Sequence, residues 1–201
     1  MLYFVTDRKV AVKDFYRTLQ EAVEGGVDGI ILREKDLKQP ELFSMGKKVK
    51  AIVEGTDTKL IINGNLSVAR DLKAQGYHMG FEKFMEEDKK TLKEFRGRIG
   101  VSVHSVKEAK IAEKNGADYL LAGHVFQTLC KKGLEPRGIS WLKEIMEAGN
   151  LPVIAIGGID PNNLGKLQSL GLHGIAVRSL IMESPEVKNT VKSLRNKWLI
   201  D

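Results

Sequence analysis

Apolar residues in this chain gather in short dense runs, separated by longer stretches where they recur at helical spacing. The runs are Leu2–Thr6, Gly29–Arg33, Lys59–Asn63, Tyr77–Gly80, Ile99–Val103, Tyr119–Val125, Val153–Gly157 and Gly174–Val177. Several, such as Ile61-Ile62 and Val153-Ile154-Ala155-Ile156, are apolar at consecutive rather than alternate positions. That pattern belongs to strands covered on both faces, as in a parallel sheet flanked by its crossover helices.

Helical patterns lie between the runs. Asp14–Glu24 places Phe15, Leu19, Ala22 and Val23 along one face, and Phe43–Glu54 alternates cations with apolar residues. Val106–Asn115 aligns Ala109 with Ala112 ahead of a terminating Gly116. Asp160-Pro161 predicts a capped helix over Asn162–Leu170, closed by Gly171. A last helix is predicted over Pro185–Leu199, with Val187, Val191, Leu194 and Trp198 as its buried stripe. The tripeptide Gly-(Ala/Val)-Asp recurs at Gly26-Val27-Asp28 and Gly116-Ala117-Asp118, each just before a strand, which fits a repeated βα unit. Eight such units predict a (β/α)₈ barrel, residues 1–201 forming a single domain. An open doubly wound sheet is the alternative, disfavoured because no dinucleotide fingerprint is present.

Composition narrows the function classes. The 201 residues are 42% hydrophobic and 29% charged, as in ordinary globular proteins. No apolar run reaches the length of a membrane-spanning helix, and the N-terminus enters a strand pattern directly, so neither membrane nor secretion is expected. One cysteine, Cys130, excludes an internal disulfide and fits a reducing cytoplasm. The net charge of +6 is spread along helices without a recognition motif. Nucleic acid is therefore not an expected partner, whereas a small phosphorylated substrate is. A homo-oligomer is neither required nor excluded.

In a barrel, chemistry sits at the C-terminal ends of the strands. Candidates there are Arg33 and Lys35, Asn63, Ser102 and His104, His124, Gly157-Gly158, and Arg178-Ser179. Ile156-Gly157-Gly158-Ile159 and Val177-Arg178-Ser179 predict a phosphate cradle, since glycine lets backbone N–H groups approach the oxygens; a tight turn without ligand is the alternative. His124, followed by a polar loop, is the candidate acid/base, because imidazole can take and return a proton near neutrality. His78 and His104 are expected to be structural, and His173 lies at the opposite end of the barrel. Arg33 and Lys35 flank Glu34, so strand alternation turns both cations to one side, toward an anion. Pairing of these cations with Glu34 or Asp36 is the alternative. Thr128 and Lys131 join them as substrate-binding candidates, while Lys132 reads as loop surface. Cys130 has no adjacent histidine to make it a nucleophile. No His-x-His pair, CxxC or strand-end carboxylate pair predicts a metal site.

These residues carry a resemblance. Leu32-Arg33-Glu34-Lys35, Ile61-Ile62-Asn63, Ile99-Gly100-Val101-Ser102-Val103-His104-Ser105, Ala117-Asp118-Tyr119 and Ala155-Ile156-Gly157-Gly158-Ile159 together resemble the thiamin phosphate synthase superfamily, from Leu2 to Ile181. The resemblance implies a (β/α)₈ barrel. Synthases of the superfamily follow the strand-3 Asn with an Asp that helps hold magnesium, and carry Gly-Gln-x-Asp after strand 4. Here Gly64 and Gly80-Phe81-Glu82-Lys83 stand at those places, and Ile31 replaces a Gln. The segment from Gly123-His124-Val125-Phe126 to Gly133-Leu134-Glu135 is instead similar to the thiazole tautomerase (TenI-type) branch. The resemblance thus implies an isomerase of thiamin biosynthesis that aromatises a carboxythiazole phosphate through His124, with no metal or other cofactor. A divergent thiamin phosphate synthase, which is a transferase, and a non-catalytic regulator that binds thiazole phosphate are the alternatives.

Overall fold

Consecutive apolar residues need cover on both faces of a strand, and the chain supplies it by closing its sheet into a ring. The computed structural model describes residues 1–131 and 133–199, without the side chains of Cys130 and Leu199. The Cys130 thiol and Lys132, both weighed above, lie outside the described residues. Eight parallel strands, β1 (Leu2–Val5), β2 (Gly29–Leu32), β3 (Lys59–Asn63), β4 (Gly76–Gly80), β5 (Arg98–Val103), β6 (Tyr119–Gly123), β7 (Val153–Ile156) and β8 (Gly174–Val177), pair in chain order and close through β1 and β8. The helices are α1 (Phe15–Gly25), α2 (Gln39–Val53), α3 (Leu66–Asp71), α4 (Phe81–Glu86), α5 (Lys89–Lys93), α6 (Val106–Lys114), α7 (Gly138–Glu147), α8 (Gly165–Gln168), α9 (Ser179–Met182) and α10 (Val187–Leu199). The predicted (β/α)₈ barrel is the observed fold.

Alternation along each strand separates two cores. Outward residues such as Leu2, Phe4, Ile30, Leu32, Leu60 and Ile62 pack under Leu19 and Ala22 of α1, Leu42 and Val49 of α2, and Val187, Val191 and Leu194 of α10. Inward residues Tyr3, Val5, Ile31, Ile61, Tyr119, Leu121, Ile154 and Ala176 fill the barrel itself. The Tyr3 and Tyr119 rings lie parallel, 6.4 Å apart between centroids. Room for them comes from glycine: a Cβ on Gly29 would meet the Tyr3 ring at 2.9 Å, and one on Gly100 would collide with the Tyr119 ring.

The repeated Gly-x-Asp tripeptide has one job in both places. Gly26 and Gly116 take positive φ (96° and 91°) at the ends of α1 and α6. Two residues on, Asp28 accepts the N–H of Leu2 at 2.6 Å, and Asp118 accepts that of Ile99 at 2.7 Å. Each carboxylate thereby satisfies a donor near the start of the neighbouring strand, at the closed end of the barrel.

Several element boundaries differ from the sequence reading, three of them for a reason visible in the hydrogen bonds. β6 ends at Gly123 rather than Val125, because the N–H groups of Val125 and Phe126 donate to the Ile156 and Gly157 carbonyls (both 3.0 Å) and the chain folds over the end of β7. The helix expected over Asn162–Leu170 shrinks to α8. There the Asp160 carboxylate accepts the N–H groups of Asn162 and Asn163 (2.7 and 3.1 Å), while the Asn163 amide donates to Gly158 O at 2.7 Å. That local network holds residues 161–164 as turns. Helix α2 starts earlier than expected, with Pro40 in its first turn and Glu41 accepting the Lys38 N–H at 2.9 Å.

Gly100→Ala tests the inner core. The added methyl must displace Tyr119, and overpacking of this kind costs about 1–3 kcal/mol. A lowered urea midpoint with unchanged slope is the expected outcome.

Candidate active site

Continuing the inward alternation of β2 past Gly29 and Ile31 brings Arg33 and then Lys35 into the open mouth of the barrel. What fixes this direction is Glu34, whose side chain is buried on the other side. Its carboxylate accepts the Thr6 hydroxyl at 2.8 Å, the Arg8 N–H at 3.1 Å and the Arg8 guanidinium at 2.9 Å. The Thr6 hydroxyl oxygen in turn accepts the Arg33 N–H at 3.0 Å. Asp36 pairs with Arg8 at 2.7 Å and Lys9 at 3.0 Å, and these hydrogen bonds hold its carboxyl well below the usual carboxylate range. Glu34 and Asp36 are therefore engaged by Arg8 and Lys9, and the alternative pairing with Arg33 and Lys35 is not taken. Neither Thr6 nor Arg8 was singled out in the sequence; the Thr6–Glu34 contact joins two strands and has no local signal.

Lys35 is held below the ordinary lysine pKa by the adjacent Arg33, by partial burial and by Lys131. Lys131 belongs to the loop after β6 and lines the same mouth as Lys35, which follows β2. The cavity it helps line measures about 900 Å³, near the upper end for a small-molecule site. Asn63, Ser102, His124, Thr128, Gly157, Gly158, Arg178 and Ser179 all line the same cavity, so every residue proposed from the sequence converges there. Glu82, Gln127, Asp160 and Glu183 also line it and went unrecognised.

Gly157 and Gly158 have positive φ (102° and 66°). A Cβ on Gly157 would collide with His124, and one on Gly158 with the Gln127 carbonyl. The loop after β7 thus packs directly on the loop after β6, and only glycine permits that approach. Beside it, the Arg178 guanidinium pairs with Asp7 at 3.1 Å, which leaves the backbone of residues 178 and 179 as the part of that segment suited to an anion.

His124 is buried, 8% exposed, with Nε2 at 3.4 Å from the Leu134 carbonyl. His104 Nδ1 donates to the Gly123 carbonyl at 2.9 Å and so braces the segment carrying His124. His78 is fully inside. Its ring nitrogens face Ser102 Oγ at 2.8 Å and the Tyr119 hydroxyl at 3.2 Å, and burial, reinforced by Arg33, depresses its pKa to about 3. It is a neutral hydrogen-bonding group that orients Ser102. His173 lies at the far end, its carbonyl accepting the N-terminal ammonium at 2.9 Å.

A divalent cation does not fit the residues present. At the two places where the resemblance implies carboxylates, Gly64 faces open space and the Lys83 ammonium lies 3.5 Å from Glu87 at the end of α4. Asp160 Oδ1 accepts two backbone N–H groups, and among the described residues no cluster of three His, Cys, Asp or Glu could hold a metal.

Comparison with known proteins decides the family. The model of the thiamine monophosphate synthase family matches residues 2–181. The chain belongs to this family. It is 37% identical to the thiamine-phosphate synthase of Clostridium tetani, over 96% of this chain and 93% of that one. The thiamine-phosphate synthase of Pyrococcus abyssi is 38% identical, over 96% and 92%. A solved thiamine phosphate pyrophosphorylase from Pyrococcus furiosus superposes with a TM-score of 0.86 at 34% identity, covering 98% of this chain and 94% of that one.

These relatives correct the expected activity. The sequence pointed to a thiazole tautomerase, an isomerase, whereas the relatives similar over nearly the whole chain are synthases, which are transferases. The misreading has a physical source. Gly64 and Lys83 bear on how the mouth holds charge, not on which bond is made there.

Two outcomes are expected. Thr6→Val leaves the Arg33 N–H without its acceptor and Glu34 without one donor, a loss of about 1–3 kcal/mol; urea unfolding measures it. For His78, the folded imidazole resists protonation down to about pH 3, while the unfolded one takes a proton near 6.5. Between those values the unfolded state binds more protons, so this group's contribution is full above pH 6.5 and is lost as pH falls toward 3. The stability difference between the wild type and His78→Gln should therefore change between pH 7 and 5 in the direction of a weaker wild type.

Proposed function

We propose that this protein is a transferase of the thiamine-phosphate synthase type, joining a pyrimidine-methyl diphosphate to a thiazole phosphate. The supporting observation is that one mouth of about 900 Å³ combines two anion-binding chemistries, a double-glycine cradle and a cluster of cations. A thiazole phosphate would rest on the backbone of Gly157, Gly158, Arg178 and Ser179. The diphosphate would meet Arg33, Lys35 and Lys131. Asn63, Ser102 and Thr128 supply hydrogen bonds to the rings and their substituents, and neutral His78 holds Ser102 in place.

The reaction is a displacement. The bond between the pyrimidine methylene and the diphosphate oxygen breaks, its electron pair leaving with the diphosphate. The thiazole nitrogen lone pair forms the new C–N bond. Negative charge grows on the departing group, so fixed cations aimed at it stabilise the transition state more than the ground state. No C–H bond is broken in this chemistry, so His124 serves as a contact to the heteroaromatic ring. The whole chain, residues 1–201, acts as one domain, and its single Cys130 suits a cytoplasmic setting.

Purified protein supplied with both precursors should form thiamin phosphate and release pyrophosphate in equal amounts. Arg33→Ala should lower kcat/KM by about 10²–10³-fold, the scale seen when one preorganised donor to a developing charge is removed. Absence of thiamin phosphate with and without magnesium overturns the reading.

A further inference from the structure

The cations in the mouth and the dispersal of its carboxylates point the same way. A divalent ion bridging protein and diphosphate needs several oxygen ligands, carboxylates above all. Gly64 offers no side chain and Lys83 is a cation turned to Glu87; Glu82, Asp160 and Glu183 line the mouth, but among the described residues no three His, Cys, Asp or Glu gather closely enough to hold a metal. In the same mouth, Arg33 and Lys35 are delivered from one side by the Thr6–Glu34–Arg8 network, and Lys131 comes over from the β6 loop. These like charges oppose one another, as the depressed pKa of Lys35 records. A polyanion between them converts mutual repulsion into shared attraction.

We propose that this site binds a diphosphate directly through Arg33, Lys35 and Lys131, with no bridging divalent cation. The proposal takes only the identity of the anion from the transferase reading. Lys35 and Lys131 hold the outer phosphoryl group from opposite sides of the mouth, and Arg33, whose guanidinium has a planar fork of donors, takes the inner one.

Calorimetric titration with inorganic pyrophosphate, in EDTA and again in excess magnesium, tests this on the full chain. Binding in EDTA is expected, with an affinity within about threefold of that in magnesium. Lys35→Ala and Lys131→Ala should each weaken it by about tenfold or more, the scale of a lost charged hydrogen bond. Lys83→Ala should leave it unchanged, and urea midpoints equal to wild type show that each variant is folded. Pyrophosphate binding that appears only with magnesium overturns the proposal, as does undiminished affinity in both Lys35→Ala and Lys131→Ala. Its failure is distinguishable from that of the transferase reading. Metal-free pyrophosphate binding without thiamin phosphate formation sinks the transfer reaction and supports the anion site. Thiamin phosphate formation with pyrophosphate binding strictly dependent on magnesium does the reverse.

Discussion

Pairing of β1 with β8 is the constraint on which the rest depends. Once Leu2 aligns with Ile175 and Phe4 with Val177, the sheet has no edge, and every strand acquires an inside and an outside. The inside is narrow. It accepts Tyr3 and Tyr119 only because Gly29 and Gly100 face them, and this aromatic plug closes the barrel below the mouth. The outside takes the larger share of the apolar residues and buries them under the helices, which is where most of the stabilising area lies. Asp28 and Asp118 complete the closed end by satisfying strand donors that would otherwise go unpaired.

Closure also dictates the chemistry. Parallel strands all point the same way, so the residue following each inward apolar position arrives at one rim. Arg33, Asn63, Ser102 and His124 come from four strands or the loops just beyond them and still share a cavity. Their precision comes from partners outside the cavity. Glu34 is buried behind Arg33 with Thr6 and Arg8, His78 backs Ser102, and His104 braces the carbonyl preceding His124. Polar groups in such networks are costly to bury unless each finds a partner, and among the described residues no buried side-chain polar atom lacks one.

The electrostatics of the mouth come from cations that the fold holds in place. Relatives similar over nearly its whole length are named as thiamine-phosphate synthases, and in this chain Arg33, Lys35 and Lys131 line the mouth. Charge compensation by fixed ammonium and guanidinium groups differs from compensation by a metal ion in one useful respect. The groups are already assembled by the fold, and no ion must be captured before substrate binds.

The continuous apolar runs, the helical stripes between them and the paired Gly-x-Asp tripeptides were enough to determine a closed eight-stranded barrel, because two-sided burial and a repeated crossover leave few other arrangements. Strand-end position also placed Arg33, Asn63, Ser102, His124 and Arg178 in one mouth, though it missed Glu82, Gln127, Asp160 and Glu183. Local signals misjudged lengths where side chains compete with the backbone, as Asp160 and Asn163 do ahead of α8. The activity was misjudged as well, since the local motif around His124 carried less information than similarity over nearly the whole chain. Tertiary structure alone decided what each charge faces. Glu34 turned out to be the anchor of Thr6 and Arg8 and not the counter-ion of Lys35, and Lys131 lines the same mouth as Lys35, nearly a hundred residues away. Such pairings depend on distances between elements remote in the sequence, and no periodicity along a single chain encodes them.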